Sequence, residues 1–180
     1  MKTRCDWVSD DEIYIKYHDE EWGVPTYDDE KLFELLILES FQAGLSWITI
    51  LKKRENFKKA FDNFDVFKVA GYDDEKINEL LENKGIVRNK RKVTAAVKNA
   101  QVFIDIQKEF KSFSNYIWSF TDGEIIKAEY LTESELSKKI SKDLKKRGMN
   151  FVGPTIIYSY LEAIGIINNH QKDCFKFDWE

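Results

Sequence analysis

The sequence predicts an all-α fold, and three features of the chain favour it. Apolar residues recur at three- and four-residue spacing along most of the 180 residues, as they do on one face of a helix. Residues that start and stop helices separate these stretches. Hydrophobic residues make up 43% of the chain and aromatic residues 14%, which is enough for a packed core. We therefore expect a single α-helical domain over residues 1–180.

Four helices are predicted in the first half of the chain. Ser9 and Glu12 have the spacing of a capping box, and Asp28 and Ser46 are typical N-cap residues. The predicted helices run from Ser9 toward Tyr17, from Asp28 to Ala43, from Ser46 to Leu51 and from Asp73 to Leu81. Gly44 is expected to end the second of them. Four residues at helical spacing after the third helix are assigned to the core: Phe57, Ala60, Phe61 and Phe64.

Three more helices are predicted in the second half. Thr132 and Glu135 form a second capping box, and Pro154 suits the first turn of a helix because its missing N–H is not needed there. The predicted bounds are 89–109, Thr132 to Lys145 and Pro154 to Gly165. A turn at Asp122–Gly123, followed by 124–126, is the one place where a short extended segment is expected.

The overall charge gives no general case for binding nucleic acid, since the net charge is −4. Basic residues nevertheless cluster at 52–54, 88–92 and 145–147, and acidic residues at 10–12, 19–21 and 28–30. Such segregation can leave one positive face on an acidic protein. No apolar stretch is long enough for a membrane span, and the N-terminus has no apolar signal-peptide region. We expect a cytoplasmic monomer without membrane contact.

The two cysteines and two histidines of the chain lie near its two ends. Cys5 and His18 are close to the N-terminus, and His170 and Cys174 are one helical turn apart near the C-terminus. Two thiolates and two imidazoles form a complete tetrahedral ligand set for Zn²⁺. Each pair alone is equally compatible with a buried thiol and a hydrogen-bonded histidine, and a disulfide between the cysteines is a competing cross-link.

One carboxylate lies on an apolar helix face. Glu39 shares its face with Leu32, Leu35 and Leu36. Burial of a polar group without a hydrogen-bond partner costs about 2–7 kcal/mol, so an unpaired carboxylate at this position is unfavourable. Glu39 therefore either has a functional role, or forms a salt bridge, or lies where the end of the helix emerges into water. Large aromatic residues flank this stretch: Trp7, Tyr14, Tyr17, Trp22 and Trp47. They belong either to the core or to a slot that stacks a flat ligand against a hydrogen-bonding acid.

The segment 84–88 joins two amphipathic helices through a glycine turn, with basic residues at the start of the second helix. N–H groups at such a turn, together with Arg88, Arg91 and Lys92, favour binding of phosphate over an ordinary helical hairpin. A helix-hairpin-helix element grips the DNA backbone in this way without reading bases.

Taken in order, these stretches resemble the bacterial 3-methyladenine DNA glycosylase I family. The motifs that carry the resemblance are RCxW at 4–7, YxxYHDxEWGVP at 14–25, QAGLSWIT at 42–49, LKKREN at 51–56, KKRG at 145–148, FVG at 151–153 and the His170-x-x-x-Cys174 tail. They span nearly the whole chain and several are long, so the resemblance is specific.

The resemblance implies a helix-hairpin-helix glycosylase fold and a DNA repair enzyme that excises 3-methyladenine from double-stranded DNA. It implies that Glu39 is the catalytic residue and contacts the excised base. The implied base pocket consists of Tyr14, Tyr17, Trp22 and Trp47, and the implied ligands of a structural Zn²⁺ are Cys5, His18, His170 and Cys174. The hairpin lacks the second glycine common in this element, and the aspartate usual after it is not evident. The group that activates water therefore stays open.

On this hypothesis the damaged base is flipped out of the helix, and Leu45 fills the space that it leaves. DNA contacts are assigned to Leu45, Gly85, Arg88 and Arg91. Free 3-methyladenine is the expected product. Two other functions remain open at this point. A non-catalytic DNA-binding module would not need Glu39 on an apolar face, and an enzyme of free nucleosides would not need the hairpin.

Overall fold

The computed structural model describes residues 2–178 and is largely helical. Its α-helices are α1 Glu12–Glu20, α2 Asp29–Gln42, α3 Trp47–Ala60, α4 Val66–Ala70, α5 Asp74–Glu82, α6 Lys90–Phe110, α7 Phe113–Ser119, α8 Glu135–Lys146 and α9 Pro154–Ala163. A 3₁₀ turn covers Asp62–Phe64, and two short strands are β1 Ile126–Lys127 and β2 Ile167–Asn168. Across the described chain, every helix is too short or too polar to span a bilayer.

Helix α2 lies at the centre of the fold. Every residue from Leu32 to Phe41 is buried, because α3, α6, α7 and α9 pack around the helix. A helix that is covered on all sides must bury any polar residue it carries. The two acids Glu34 and Glu39 are therefore both removed from water, and their surroundings decide what each can do.

Several predicted helix starts are confirmed. Asp28 accepts a hydrogen bond from the N–H of Lys31, Asn89 accepts one from Lys92, and Pro154 occupies the first turn of α9. The predicted core residues Phe57, Ala60, Phe61 and Phe64 are also buried. The third helix extends to Ala60 rather than Leu51, and the short helices α4 and α7 were not predicted.

Both predicted capping boxes are wrong. Asp11, not Ser9, caps α1, since its carboxylate accepts the N–H of Ile13 at 3.0 Å. At α8 the reciprocal box is formed by Ser134 and Ser137, not by Thr132 and Glu135. In both places several cap-forming residues are adjacent in the sequence, and a residue closer to the helix takes the role.

The all-α prediction needs one correction. Strands β1 and β2 form a two-stranded parallel sheet in which Ile126 pairs with Ile167 and Lys127 with Asn168. The extended segment expected after Asp122–Gly123 is confirmed near its predicted place. Its partner was not predicted, because β2 is distant in sequence and too short to show a periodic pattern.

Gly165 fixes the turn that follows α9. Its φ of +79° is unfavourable for other residues, and a Cβ there would lie 2.4 Å from the backbone nitrogen of Pro25. The segment before Pro25 is held on the end of α9, with Gly23 donating its N–H to Glu162 O at 3.1 Å. Only glycine permits this close approach, which positions the chain beside His170.

We expect Gly165→Ala to lower the free energy of unfolding by about 3 kcal/mol. The left-handed backbone costs about 1–2 kcal/mol in any non-glycine residue, and the overlap with Pro25 adds about 1–3 kcal/mol. Urea unfolding measures the loss. Gly123→Ala is the matched control, because Gly123 has the same φ of +79° but open space around it. Equal losses in the two variants would contradict the steric explanation.

Candidate functional site

The four predicted metal ligands come together in one buried cluster. Cys5 precedes α1, His18 lies on α1, and His170 and Cys174 follow β2. Their ligand atoms all lie within 4.8 Å of one another. The closest distances are 3.6 Å from Cys5 Sγ to His170 Nδ1, 3.5 Å from Cys174 Sγ to His18 Nε2 and 3.7 Å from Cys174 Sγ to His170 Nδ1. These four residues could hold a metal ion.

The geometry fits a tetrahedral ion. With ordinary Zn–S and Zn–N bond lengths, a tetrahedral zinc separates a sulfur from a nitrogen ligand by about 3.5 Å. Both cysteines are free, so the competing disulfide is not formed. The sulfurs also accept backbone N–H groups, from Gln171 to Cys5 and from Lys176 to Cys174, each at 3.5 Å. Such hydrogen bonds support thiolate ligands.

The protonation of the cluster follows from its burial. Burial lowers the pKa of His170 to about 4 and also lowers that of His18, which leaves both imidazoles neutral, as metal binding requires. Burial raises the pKa of the Cys5 thiol to about 12. A divalent cation reverses that effect by stabilising the thiolate directly.

Asp19 orients one of the imidazoles. Its carboxylate lies 2.8 Å from His18 Nδ1 and accepts two hydrogen bonds from Arg4, at 2.9 and 2.7 Å. The Arg4 guanidinium lowers the pKa of Asp19 to about 2. A carboxylate on the outer nitrogen is the usual partner of a metal-bound histidine, because it directs the other nitrogen toward the ion.

An aromatic wall separates this cluster from a pocket. The ring centroids of Trp22 and His170 are 4.6 Å apart, and those of Trp7 and His18 are 5.3 Å apart. Trp7 also packs on Tyr14 and on Trp22, at 5.1 and 4.9 Å. The residues that could bind a metal therefore support the rings on the pocket side.

The pocket encloses about 500 Å³ and contains every residue predicted for base binding. It is lined by Asp6, Trp7, Tyr14, Tyr17, Trp22, Glu39, Gln42, Trp47, Tyr130, Ser159, Glu162 and Gln171. Tyr17 and Trp47 lie 5.5 Å apart between ring centroids. The buried Nε1 of Trp47 has no acceptor within the described residues. The pocket thus offers flat apolar faces and polar groups that lack partners.

Glu39 is buried in this pocket without compensation. It is 3% exposed, and no described residue donates a hydrogen bond to it or forms an ion pair with it. Glu34 on the same helix is also buried but pairs with Arg54, which also binds Glu21 at 2.7 Å. Burial, and then the charge of Glu162, raise the pKa of Glu39 well above its ordinary value. Such an acid is typical of a functional site rather than of a structural ion pair.

Sequence reasoning missed a second buried acid, Glu162 on α9. It is 6% exposed and accepts a hydrogen bond from Asn169 Nδ2 at 2.8 Å. Burial raises its pKa to about 8. The sequence did contain a signal for Glu162, because this acid lies within the apolar stretch 156–167, just as Glu39 lies within an apolar stretch of α2. The other lining residues that were missed are Asp6, Gln42, Tyr130, Ser159 and Gln171.

The hairpin presents its predicted arginines to solvent. Arg88 and Arg91 are exposed and form no ion pair within residues 2–178. Gly85 has an ordinary negative φ, and its N–H donates to Asn83 Oδ1 at 2.8 Å, so this group is already used. A Cβ on Gly85 would lie 3.0 Å from Asn56, which explains the glycine sterically.

Lys92 corrects the phosphate-binding interpretation. Its ammonium is buried and donates to the carbonyl oxygens of Phe41 and Ala43, at 2.9 and 2.5 Å. It therefore caps the C-terminal end of α2 and ties the hairpin helix to the Glu39 helix. The loop that follows carries Leu45, which is 38% exposed after the left-handed Gly44.

The chain is similar to known proteins over nearly its whole length. The family profile described as methyladenine glycosylase matches residues 7–177. A DNA-3-methyladenine glycosylase from Haemophilus influenzae is 44% identical over 180 residues, with 97% of each chain covered. The DNA-3-methyladenine glycosylase 1 of Escherichia coli K12 is 45% identical over 177 residues, with 95% of each covered.

Solved structures agree with these relatives. A crystal structure of 3-methyladenine DNA glycosylase I superposes with a TM-score of 0.95 at 44% identity, covering 98% of this chain and 100% of the other. A structure that describes 3-methyladenine recognition by the Staphylococcus aureus enzyme has a TM-score of 0.92 at 40% identity, covering 96% of this chain and 95% of the other.

Proposed function

Because this chain belongs to the methyladenine glycosylase family, we infer that it is a DNA-3-methyladenine glycosylase. It excises 3-methyladenine from alkylated double-stranded DNA by hydrolysing the N-glycosidic bond, and it leaves an abasic site. The observation that carries this function is the uncompensated Glu39 carboxyl in an aromatic pocket. Incubation with methylated DNA, followed by chromatography of the released bases, tests it. Absence of free 3-methyladenine would overturn it.

The pocket suits the charge of this base. Methylation at N3 makes the adenine of DNA cationic, and a cation is attracted to the face of an aromatic ring by about 0.5–2 kcal/mol. Glu39 is placed to accept hydrogen bonds from the base edge, and Tyr14, Tyr17, Trp22 and Trp47 to enclose it. Normal adenine is neutral and gains little from either interaction.

The reaction needs little acid catalysis. When the bond between the sugar C1′ and N9 breaks, its electron pair neutralises the cationic base, which leaves as free 3-methyladenine. Water adds to the resulting sugar cation and loses a proton, which gives the abasic site. No residue that lines the pocket is a lysine, so no amine is available there for a covalent sugar intermediate. This favours simple hydrolysis, with Glu39 as the residue that binds the leaving base.

Trp47→Ala should weaken binding of free 3-methyladenine about tenfold or more, since stacking of a base on an aromatic side chain contributes about 1–3 kcal/mol. Isothermal titration calorimetry with the free base measures this. Trp47→Phe is the control, because it keeps a flat face and should retain most of the affinity. Unchanged affinity in Trp47→Ala would show that this ring does not stack on the base.

DNA is expected to dock on the surface that carries the hairpin. The exposed Arg88 and Arg91 are free to contact phosphates, and Leu45 is exposed beside the pocket residue Gln42, whose Nε2 donates to Leu45 O at 2.9 Å. We propose that Leu45 fills the gap that the flipped base leaves in the double helix. Gly85 contributes by allowing the close packing of the hairpin rather than by its own N–H.

We also propose that Cys5, His18, His170 and Cys174 hold a structural Zn²⁺. The donor set and its spacing fit this ion, and all four positions are filled by protein ligands. When bound, the ion would cross-link the two ends of the chain, and it would take no part in the reaction. We further propose a single glycosylase domain over residues 1–180 that acts as a monomer in the cytoplasm.

A further inference from the structure

The base pocket contains a second acid that the reaction described above does not use. Glu162 on α9 and Glu39 on α2 line the same cavity, and both side chains are almost fully buried. The Asp6 side chain at the rim adds a third carboxylate. None of the lining residues is a lysine or an arginine. The cavity is therefore strongly acidic and has no cation of its own.

Within residues 2–178, the one side-chain donor to this pair is an amide. Asn169 Nδ2 donates to Glu162 at 2.8 Å, and its Oδ1 is buried without a donor among the described residues. One neutral hydrogen bond does not compensate two buried negative charges, whose desolvation costs several kcal/mol, on the order of 20 in the idealised limit. Two carboxyl groups that share such a site retain a proton between them.

We propose that Glu162 determines specificity by pairing with Glu39, so that the empty pocket holds a proton which the cationic base displaces. This inference rests on the proposed function and assigns the second acid of the same site. Entry of 3-methyladenine within DNA brings a positive charge, the shared proton moves onto Glu162, and the single negative charge of the pair is then held on Glu39, opposite the base. Normal adenine brings no charge, so it leaves the proton in place and gains no ion pair.

Among the described residues, no cation faces the pair to neutralise it. The titratable side chains that face it are Tyr14 and Tyr17 from α1, and Tyr158 and Tyr160 from α9, with Asp6 and Tyr130 at the rim. Arg54 of α3 acts on Tyr17 but is itself bound by Glu21 and Glu34. Burial keeps the four tyrosines of α1 and α9 neutral by raising their pKa.

The test is the pH dependence of base release from methylated DNA by Glu162→Gln. Removal of one carboxylate lowers the pKa of Glu39, because the charge of Glu162 raises it. The acid limb of kcat/KM should move to lower pH by about one unit, the coupling expected of interacting carboxyls. Excision at neutral pH should fall, because Glu162 lines the base pocket, but glutamine keeps the shape and one hydrogen-bond donor, so the limb should still be measurable. Glu124→Gln removes an exposed charge outside the pocket and should leave the limb in place.

A second measurement follows the protonation of Glu39 and Glu162 directly, without an excision assay. In the ¹³C NMR spectrum of the wild-type protein, the carboxyl chemical shifts should show that at least one of the two buried carboxyl groups is protonated at pH 7. In Glu162→Gln, the pH at which Glu39 titrates should be lower than in the wild type. An unshifted limb, loss of excision at every pH in a folded Glu162→Gln, or ordinary titration of both acids would each overturn the proposal. Failure of the wild-type protein to release 3-methyladenine would instead refute the glycosylase activity.

Discussion

Glu39→Gln should lower kcat/KM for release of 3-methyladenine by at least about 100-fold. The substitution keeps the shape of the side chain but removes its charge, and a hydrogen bond to a charged group contributes about 1.5–3 kcal/mol. Coulomb attraction to the cationic base is lost as well, in a site from which water is excluded. Single-turnover excision from methylated DNA measures the change.

The fold should not suffer from this substitution. The pKa of Glu39 is raised in the folded protein above its ordinary value of 4.5, so the native state binds its proton more tightly than the unfolded chain does. The contribution to stability is therefore complete below pH 4.5 and is lost as the pH rises through the folded pKa. Glu39→Gln should flatten this decline, and urea unfolding at several pH values measures it. Wild-type excision by this variant would show that the charge has no role.

Cys174→Ser should remove the metal and destabilise the protein together. Loss of a structural metal is among the few single changes that cost about 3 kcal/mol or more, which corresponds to a fall in Tm of about 6–12 °C for a chain of this size. Elemental analysis by mass spectrometry gives the zinc content, and calorimetry gives the Tm. Affinity for 3-methyladenine should also fall, because His18 and His170 support the tryptophans of the pocket.

Asp19→Asn provides a graded comparison. It keeps all four ligands but weakens the orientation of His18, and loss of such a partner typically lowers metal affinity about 10–100-fold. This variant should bind zinc fully when the ion is in excess and lose it to a chelator sooner than the wild type. A Cys174→Ser protein with full stability and no metal would refute the structural role of the cluster.

The helices could be predicted from the sequence where one residue alone had the chemistry of a cap. Asn89 is such a case, and its cap is confirmed. Where caps compete, as in Ser9-Asp10-Asp11, the choice depends on backbone geometry that composition does not contain. Helix α7 begins after the N-cap Ser112, which accepts the N–H of Asn115 at 2.9 Å, and Asp29 accepts the N–H of Phe113 at 2.8 Å from across the fold. The contact with Asp29 has no local signal in the sequence.

The residues of the candidate site also divide into those that the sequence could predict and those that it could not. The cluster of cysteine and histidine could be predicted because the chain has no other residues of those types, and Glu39 because it interrupts an apolar face. The position of Glu39 and Glu162 in one pocket depends on how α2 and α9 pack, which periodicity does not show. Lys92 was misassigned because a basic residue beside a hairpin has the same sequence signal whether it meets phosphate or a helix end.

Burial of the two sulfurs bears on how this enzyme survives the conditions in which it is needed. Methylating agents that damage adenine are electrophiles, and a thiolate is a better nucleophile than a DNA base. Cys5 and Cys174 are only 2% and 4% exposed, so a reagent in solution cannot reach either sulfur without local opening of the chain. The enzyme should therefore withstand a dose of alkylating agent that modifies many bases, and remain intact to repair them.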